Sequence, residues 1–316
     1  MKNVLIMSSF LLILNIFITA FSQEKQDIQD SPPVFKFQVK KGLSFKYLIR
    51  ADITRETRIR DDMEKVLSRV EDVLEFEMKQ TCTSVEENGN MVFEIDYDNF
   101  KLVRNVFEGS FSRKEVYTPE NFSITDDKGI TIIKKWNEMP LSEQTEFRKL
   151  FVQGFSFTAT PNGEIIEKGN ISYFDRELPG FNTIRIMNAV YYHGQPMEEG
   201  TIWNWKKIIS FPKTKDHPLS EKKIPTEYEY EFIELKEVSG IPCATISIKI
   251  KSDLKNIEED IAFLRQLTAK THIETANGVP VHTEGTIQSS LSYSGLSKGI
   301  EIATNGNFII KRLEKR

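Results

Sequence analysis

Phe45-Lys-Tyr-Leu-Ile-Arg-Ala-Asp-Ile-Thr-Arg-Glu-Thr-Arg-Ile59 decides how this chain is read. Phe45, Tyr47, Ile49, Ala51, Ile53 and Ile59 fall on odd positions, and Lys46, Arg50, Asp52, Thr54, Glu56 and Arg58 on even ones. Side chains along a strand alternate between two faces, so this period of two predicts a long strand with one dry face and one charged face. The run beyond Asp61-Asp62 keeps the phase through Val66, Val70, Leu74, Phe76 and Met78. Met63, Val66 and Val70 also fit helical spacing, but the alternation through Met78 needs no change of period, so a strand hairpin is the better reading. Met91 to Asp98, after Asn88-Gly89, and Ile124 to Ile133, around Asp126-Asp127-Lys128-Gly129, extend the pattern as further hairpins.

Three segments predict short helices. Ser142 to Val152 places Phe147, Leu150 and Phe151 together before Gly154, and Phe181 to Tyr192 aligns Ile184, Met187 and Tyr191 before Gly194. A third starts at Asn256, a capping residue with Glu259 three positions on, and aligns Ile257, Ile261 and Leu264.

Several landmarks recur in order. Phe157-Thr-Ala-Thr-Pro-Asn-Gly-Glu-Ile-Ile166 parallels Ile300-Glu-Ile-Ala-Thr-Asn-Gly-Asn-Phe-Ile309, each read as strand, Asn-Gly turn and return strand. Val39 to Tyr47 parallels Met197 to Trp205, and Glu87 to Ile95 parallels Val238 to Ile246. The expected fold is therefore mainly β (α+β), with two similar, strongly bent antiparallel sheet units in tandem and a few short helices. The first unit would cover 35–178 and the second 179–316.

Lys2 precedes an apolar run from Val4 through Phe21, and Ala20 and Ser22 occupy the small-residue positions a signal peptidase reads. This predicts a signal peptide at 1–22, cleavage between Ser22 and Gln23, and an exported product, periplasmic or secreted. The competing reading is a retained anchor, because the run approaches the shortest length that spans a bilayer. Residues 23–34, polar and ending near Pro32-Pro33, are expected to be a disordered linker. Removal of 1–22 leaves 41 basic against 46 acidic residues, a formal charge of −5. Mixed and mildly acidic charge gives nucleic acid or anionic headgroups no electrostatic footing.

Cys82 and Cys243, one in each half, could close a disulfide in an exported protein. Register weighs against it. A two-residue turn at Asn88-Gly89 sets Cys82 opposite Ile95 on the apolar face, whereas a turn at Ser239-Gly240 sets Cys243 beside Thr245 and Ser247, away from Ala244, Ile246 and Ile248.

The sequence is similar to exported bacterial proteins known only as a domain of unknown function. The similarity is carried by Lys41-Gly-Leu-Ser-Phe-Lys-Tyr47, Val85-Glu-Glu-Asn-Gly-Asn-Met-Val92, Gly154-Phe-Ser-Phe with Pro161-Asn-Gly163, and Pro196 with Gly200-Thr-Ile-Trp203, and it spans most of 35–313. The hairpin tip departs from that family, with Asp61, Asp62, Glu64 and Lys65 where the family has a Met-rich tip. The resemblance implies a bacterial envelope or secreted setting and supplies no catalytic residues.

Site chemistry is sparse. Gly295-Leu-Ser297-Lys-Gly299 fits the G-x-S-x-G pattern, but that chemistry needs a strand-to-helix elbow with later Asp and His partners, and no His follows His282. A plain turn is the better reading. His272 and His282 flank Asn277-Gly278; a two-residue turn there pairs His272 with Thr283 and His282 with Ile273, which puts the rings on opposite faces and denies them a shared metal. Adjacent carboxylates such as Glu86-Glu87, Asp126-Asp127 and Glu258-Glu259 are expected to be solvated. No phosphate loop, calcium loop or cysteine cluster calls for a cofactor.

Two functional readings follow. The first is a non-catalytic binding or structural module offering an apolar face to a lipid, a peptide or an envelope protein, with Phe45, Tyr47, Trp203 and Trp205 as ligand-facing candidates. The second is a hydrolase of an envelope polymer with an acid pair assembled from distant strands.

Overall fold

A computed structural model describes residues 32–59, 62–139, 155–168, 190–210, 218–256, 260–294 and 299–313. The described chain is almost entirely strand: β1 (Ser44–Ile59), β2 (Asp62–Val85), β3 (Met91–Glu108), β4 (Phe111–Tyr117), β5 (Asn121–Asp126), β6 (Thr131–Lys135), β7 (Phe155–Ala159), β8 (Ile165–Lys168), β9 (Ile202–Ser210), β10 (Lys223–Val238), β11 (Ile241–Asn256), β12 (Ile261–Glu274), β13 (Pro280–Ser294) and β14 (Gly299–Leu313). A single 3-10 turn, Trp136–Glu138, is the one helical piece among the described residues. No helix of the described residues is long and apolar enough to cross a membrane.

All fourteen strands belong to one unclosed antiparallel sheet, ordered β6-β5-β4-β3-β2-β1-β14-β13-β12-β11-β10-β9, with β7 beside β3 and β8 beside β7. The expectation of two tandem units is corrected here. β1 pairs with β2 on one side and with β14 on the other, from Lys46↔Leu313 to Ile59↔Ile300, so the strands of both halves form one sheet. A strand with an exposed edge presents unpaired N–H and C=O groups along its length, and β1 and β14 satisfy each other's.

The parallel between Phe157–Ile166 and Ile300–Ile309 also fails. Thr160-Pro-Asn-Gly163 is a turn, with Gly163 at φ 82°. Asn305-Gly306, however, lies inside β14, paired with Thr54 and Ile53. A Cβ on Gly306 would come within 2.9 Å of the Asp52 carbonyl oxygen and 3.0 Å of Ile53 Cγ1, so this glycine serves close strand packing rather than a turn. One parallel holds locally. Gly42 and Gly200, at φ 85° and 84°, precede β1 and β9, and their amides donate to the carbonyls of Cys82 and Phe232 across the next strand.

The third expected helix is also corrected: Asn256 ends β11, and Ile261 and Leu264 lie in β12, paired back to Asn256 and Asp253. In the second, Val190, Tyr191 and Tyr192 are not helical, and its remaining residues lie outside the described chain, as do Ser142 to Val152, the signal segment and Ser297. The hairpins at Asp126–Gly129 and Ser239-Gly240 form as read. Ser239 and Gly240 take φ 52° and 78° between paired Val238 and Ile241, the geometry that matches the twist of flanking strands.

One face of the sheet is dry at one end of the strands. Tyr47, Ile49, Leu74, Phe76, Phe93, Phe232, Ile246 and Phe308 pack there with the chain segments carrying Phe35, Phe37, Val39, Val190, Tyr192 and Met197. These segments are anchored by backbone: Phe37 N–H donates to Pro161 O and Gln38 N–H to Asn277 O, both at 2.9 Å, and the Tyr192 hydroxyl donates to Gly278 O at 2.8 Å. The sheet's outer strands on the main path, β6 and β9, carry Lys134, Lys135, Lys206 and Lys207, charges that discourage edge-to-edge pairing.

Candidate functional site on the apolar face

The strand register sorts the apolar face into bands. Ala51 heads a row through Phe308, Gly285, Ala269, Ile248, Tyr230 and Trp203 on one side, and through Leu74, Leu102, Tyr117 and Phe122 on the other. Gly285 has no room for a side chain: a Cβ there would meet the Thr268 carbonyl oxygen at 2.4 Å and the Phe308 ring at 2.7 Å. Two rows along, Arg55, Thr304, Ser289, Arg265, Ser252 and Thr226 form a polar belt on the same face, with Thr226 and Ser252 hydroxyls 2.9 Å apart and Arg265 donating to Ser252 at 3.0 Å. Beyond the belt a second apolar cluster gathers Leu219, Ile224, Ile261, Phe263 and Leu291.

The belt continues into β2–β4 as an ion network. Arg104 grips Asp72 with two bonds, 2.7 and 3.1 Å, and Arg55 approaches the same carboxylate at 3.8 Å. Glu115, next in the row, accepts from Arg113 at 2.6 Å and from the Tyr117 hydroxyl at 2.8 Å. Burial, and then Glu115, push the Tyr117 phenol well above its ordinary range. Asp72 and Glu115 are buried carboxylates from two different strands, β2 and β4. They sit two strands apart, roughly 10 Å at ordinary strand spacing. Both oxygens of each carboxylate are engaged by guanidinium or phenol donors, so neither stands free to act as acid or base toward a substrate.

Phe45, Tyr47, Trp203 and Trp205 share this face but not one location, since β1 and β9 lie six strands apart in the sheet. Tyr47 is fully buried, and burial holds its phenol far above its ordinary value. Trp203 is 7% exposed; its indole N–H donates to Tyr191 O at 2.6 Å and its ring stacks on Tyr230 at 5.2 Å. Phe45 and Trp205 are half-buried against the core. Trp205 contacts Tyr191 at 4.7 Å and Tyr228 at 4.9 Å, with the Lys207 ammonium 5.2 Å from its centroid. The Arg312 guanidinium lies over Phe45 at 5.5 Å.

Cys82 and Cys243 are both buried and free. They lie on β2 and β11, five strand steps apart, whereas a disulfide needs Cα atoms within about 7 Å. Cys82 pairs with Phe93 rather than Ile95, because the loop Glu86–Asn90 is longer than two residues and a bulge interrupts β2 beyond Cys82. Cys243 is only 1% exposed, contrary to the outward position expected, and burial pushes its thiol up to about 11.

The histidines are the clearest correction. A register shift beside His272 pairs it with His282, so the rings share a face and stack at 5.9 Å. The loop from Glu274 to Val279 is longer than a two-residue turn, and Gly278, at φ 71°, packs directly on the Lys36–Phe37 backbone instead of closing a tight hairpin. His272 Nδ1 lies 3.0 Å from Thr245 Oγ1, and burial, then Lys236, His282 and Lys270, lower its pKa. Among the described residues no three His, Cys, Asp or Glu side chains gather as a metal site.

No protein-family model and no curated protein matches this chain, so the resemblance carried by its turn motifs has no sequence match behind it. Solved structures align with it at low similarity. A lipovitellin structure described for its lipid–protein interactions aligns over 88% of this chain at 9% identity and TM-score 0.44, and the chain spans only 26% of that protein's length. A Bacteroides fragilis protein described as exported, with a YmcC-like fold, aligns over 89% of this chain and 100% of its own at 10% identity and TM-score 0.27. A β-barrel-like Brucella abortus domain of unknown function aligns over 87% of this chain at 9% identity and TM-score 0.18. Every one of these scores is below 0.5.

Proposed function

We propose that this protein is an exported, non-catalytic binding protein whose apolar sheet face takes up a hydrophobic or amphipathic molecule of the lipid class. One observation carries the reading. Along the margin of the covered core, Phe45, Tyr97, Tyr117, Trp136, Trp205 and Tyr228 remain half-buried on a sheet that does not close. Partly exposed aromatic rings offer large apolar contact at small entropic cost, which suits an acyl chain or a ring system better than a charged ligand. The engagement of Asp72 and Glu115 by arginines and a tyrosine disfavours the hydrolase alternative. The acidic balance of the chain disfavours nucleic acid.

Native mass spectrometry of protein purified from its own host tests this directly, and the expected result is a mass excess released as lipid on denaturation. Titration of the ligand-free protein with a fluorescent fatty-acid analogue should quench tryptophan emission, with Trp205 the main reporter. Protein that carries no hydrophobic mass and leaves tryptophan emission unchanged would refute the proposal.

A further inference from the structure

Two polar atoms are sealed inside the dry end of the apolar face. Tyr47 on β1 is 0% exposed and Gln80 on β2 is 1% exposed, and among the described residues Tyr47 Oη and Gln80 Oε1 have no hydrogen-bond partner. Register makes them diagonal neighbours on one face: Tyr47 stands opposite Met78, and Gln80 opposite Phe45. Diagonal positions across an antiparallel pair lie about 7–8 Å apart, a span that two long side chains and one small bridging group can close. The nearby ion pair does not serve them. Arg312, opposite Tyr47, bonds Glu274 at 2.7 Å and lies over the Phe45 ring. Buried polar groups are bonded in nearly every folded protein, so such a pair points to a partner from outside the side-chain set.

We infer that Tyr47 and Gln80 form a buried polar site that holds one hydroxyl group, supplied by a trapped water or by the head of an amphipathic ligand. The chemistry selects the class. Gln80 Oε1 can only accept, so the guest must donate; the Tyr47 hydroxyl both donates and accepts, and a guest that also accepts uses its proton. A neutral hydroxyl meets both oxygens, whereas an ionised carboxylate or phosphodiester has no proton to donate to Gln80. The water source is independent of the lipid-binding reading; the ligand source rests on it.

A high-resolution crystal structure of protein from its own host, together with melting of Tyr47→Phe and Gln80→Met, tests the site. Density is expected within about 2.7–3.0 Å of both oxygens. Tyr47→Phe should abolish that density and lower the melting temperature by roughly 2–4 °C. Gln80→Met should have a similar effect, and the double variant should add little further loss, because either change empties the same bridge. An isolated round peak in lipid-free protein identifies water: this inference then stands while the binding proposal falls. A peak continuous with elongated apolar density identifies a ligand head. Elongated density that reaches neither oxygen would leave the binding proposal standing and overturn this one. So would Tyr47→Phe protein that melts at or above the wild-type temperature, since removing an unbonded buried hydroxyl should cost nothing.

Discussion

At the scale of single residues, the apolar face is governed by what each side chain must avoid. Gly285 has no strained backbone angle that demands glycine; an added Cβ would lie 2.4 Å from the Thr268 carbonyl oxygen, 2.7 Å from the Phe308 ring and 2.9 Å from the Ala269 Cβ. Gly285→Ala should therefore destabilise by about 1–3 kcal/mol through overpacking. A thermal melt measures it, and a variant as stable as wild type would show that the strand backbone and the ring both yield at no cost. Asp72 illustrates the opposite constraint. At 2% exposure a carboxylate is tolerable only because Arg104 and Arg55 stand on its neighbouring strands. Alternation along the chain singles out neither Gly285 nor Asp72, and the buried charge and its guanidinium partner are separated by more than thirty positions in the chain. Only strand pairing brings them together.

At the scale of elements, the hairpin β12–β13 carries the most consequential departure from a simple register. One bulge beside His272 turns two histidines that alternation places on opposite faces into a stacked pair. Lys270 on β12, Lys236 on β10, and Glu284 and Lys311 on β13 and β14 surround that pair, with Glu284 3.7 Å from His282 Nε2. Burial and the neighbouring cations lower the His272 pKa below its ordinary 6.5. Between the lowered folded value and 6.5 the unfolded chain binds the additional proton, so stability rises with pH across that window. The contribution is fully present above about pH 6.5 and is lost as pH falls through the folded value. Denaturant midpoints taken between pH 7.5 and 5 should fall with acidity in the wild type and flatten in His272→Gln. Equal slopes for the two proteins would remove His272 from the account. Elsewhere, hairpins closed by the residues their turn type demands, Ser239-Gly240 above all, were legible in advance because the turn's geometry is local.

For the whole molecule, the decisive contact is β1 with β14, which joins residues separated by nearly the full length of the described chain. Cutting the protein into 35–178 and 179–316 would leave β1 and β14 each with one unpaired long edge and half of the dry face open to water. Each fragment alone should lack a cooperative melting transition and tend to associate, and mixing the two should restore near-ultraviolet circular dichroism. A fragment that melts cooperatively by itself would show that the sheet is two domains abutted at one pairing. The same long-range closure predicts slow folding relative to helical proteins of this size, because a large loop must close before the pairing rewards it.

Taken by itself, the sequence determined the alternation of dry and wet positions along β1 and the place of the Ser239-Gly240 hairpin, because both depend on neighbours two to four positions away. The tertiary structure decided that there is one sheet and not two, that Asn305-Gly306 runs straight through a strand, and that His272 meets His282. Those outcomes depend on edges that pair across hundreds of residues, on a bulge that adds a single residue to one strand, and on a glycine chosen for the ring or backbone pressed against it. None of these leaves a mark in local periodicity.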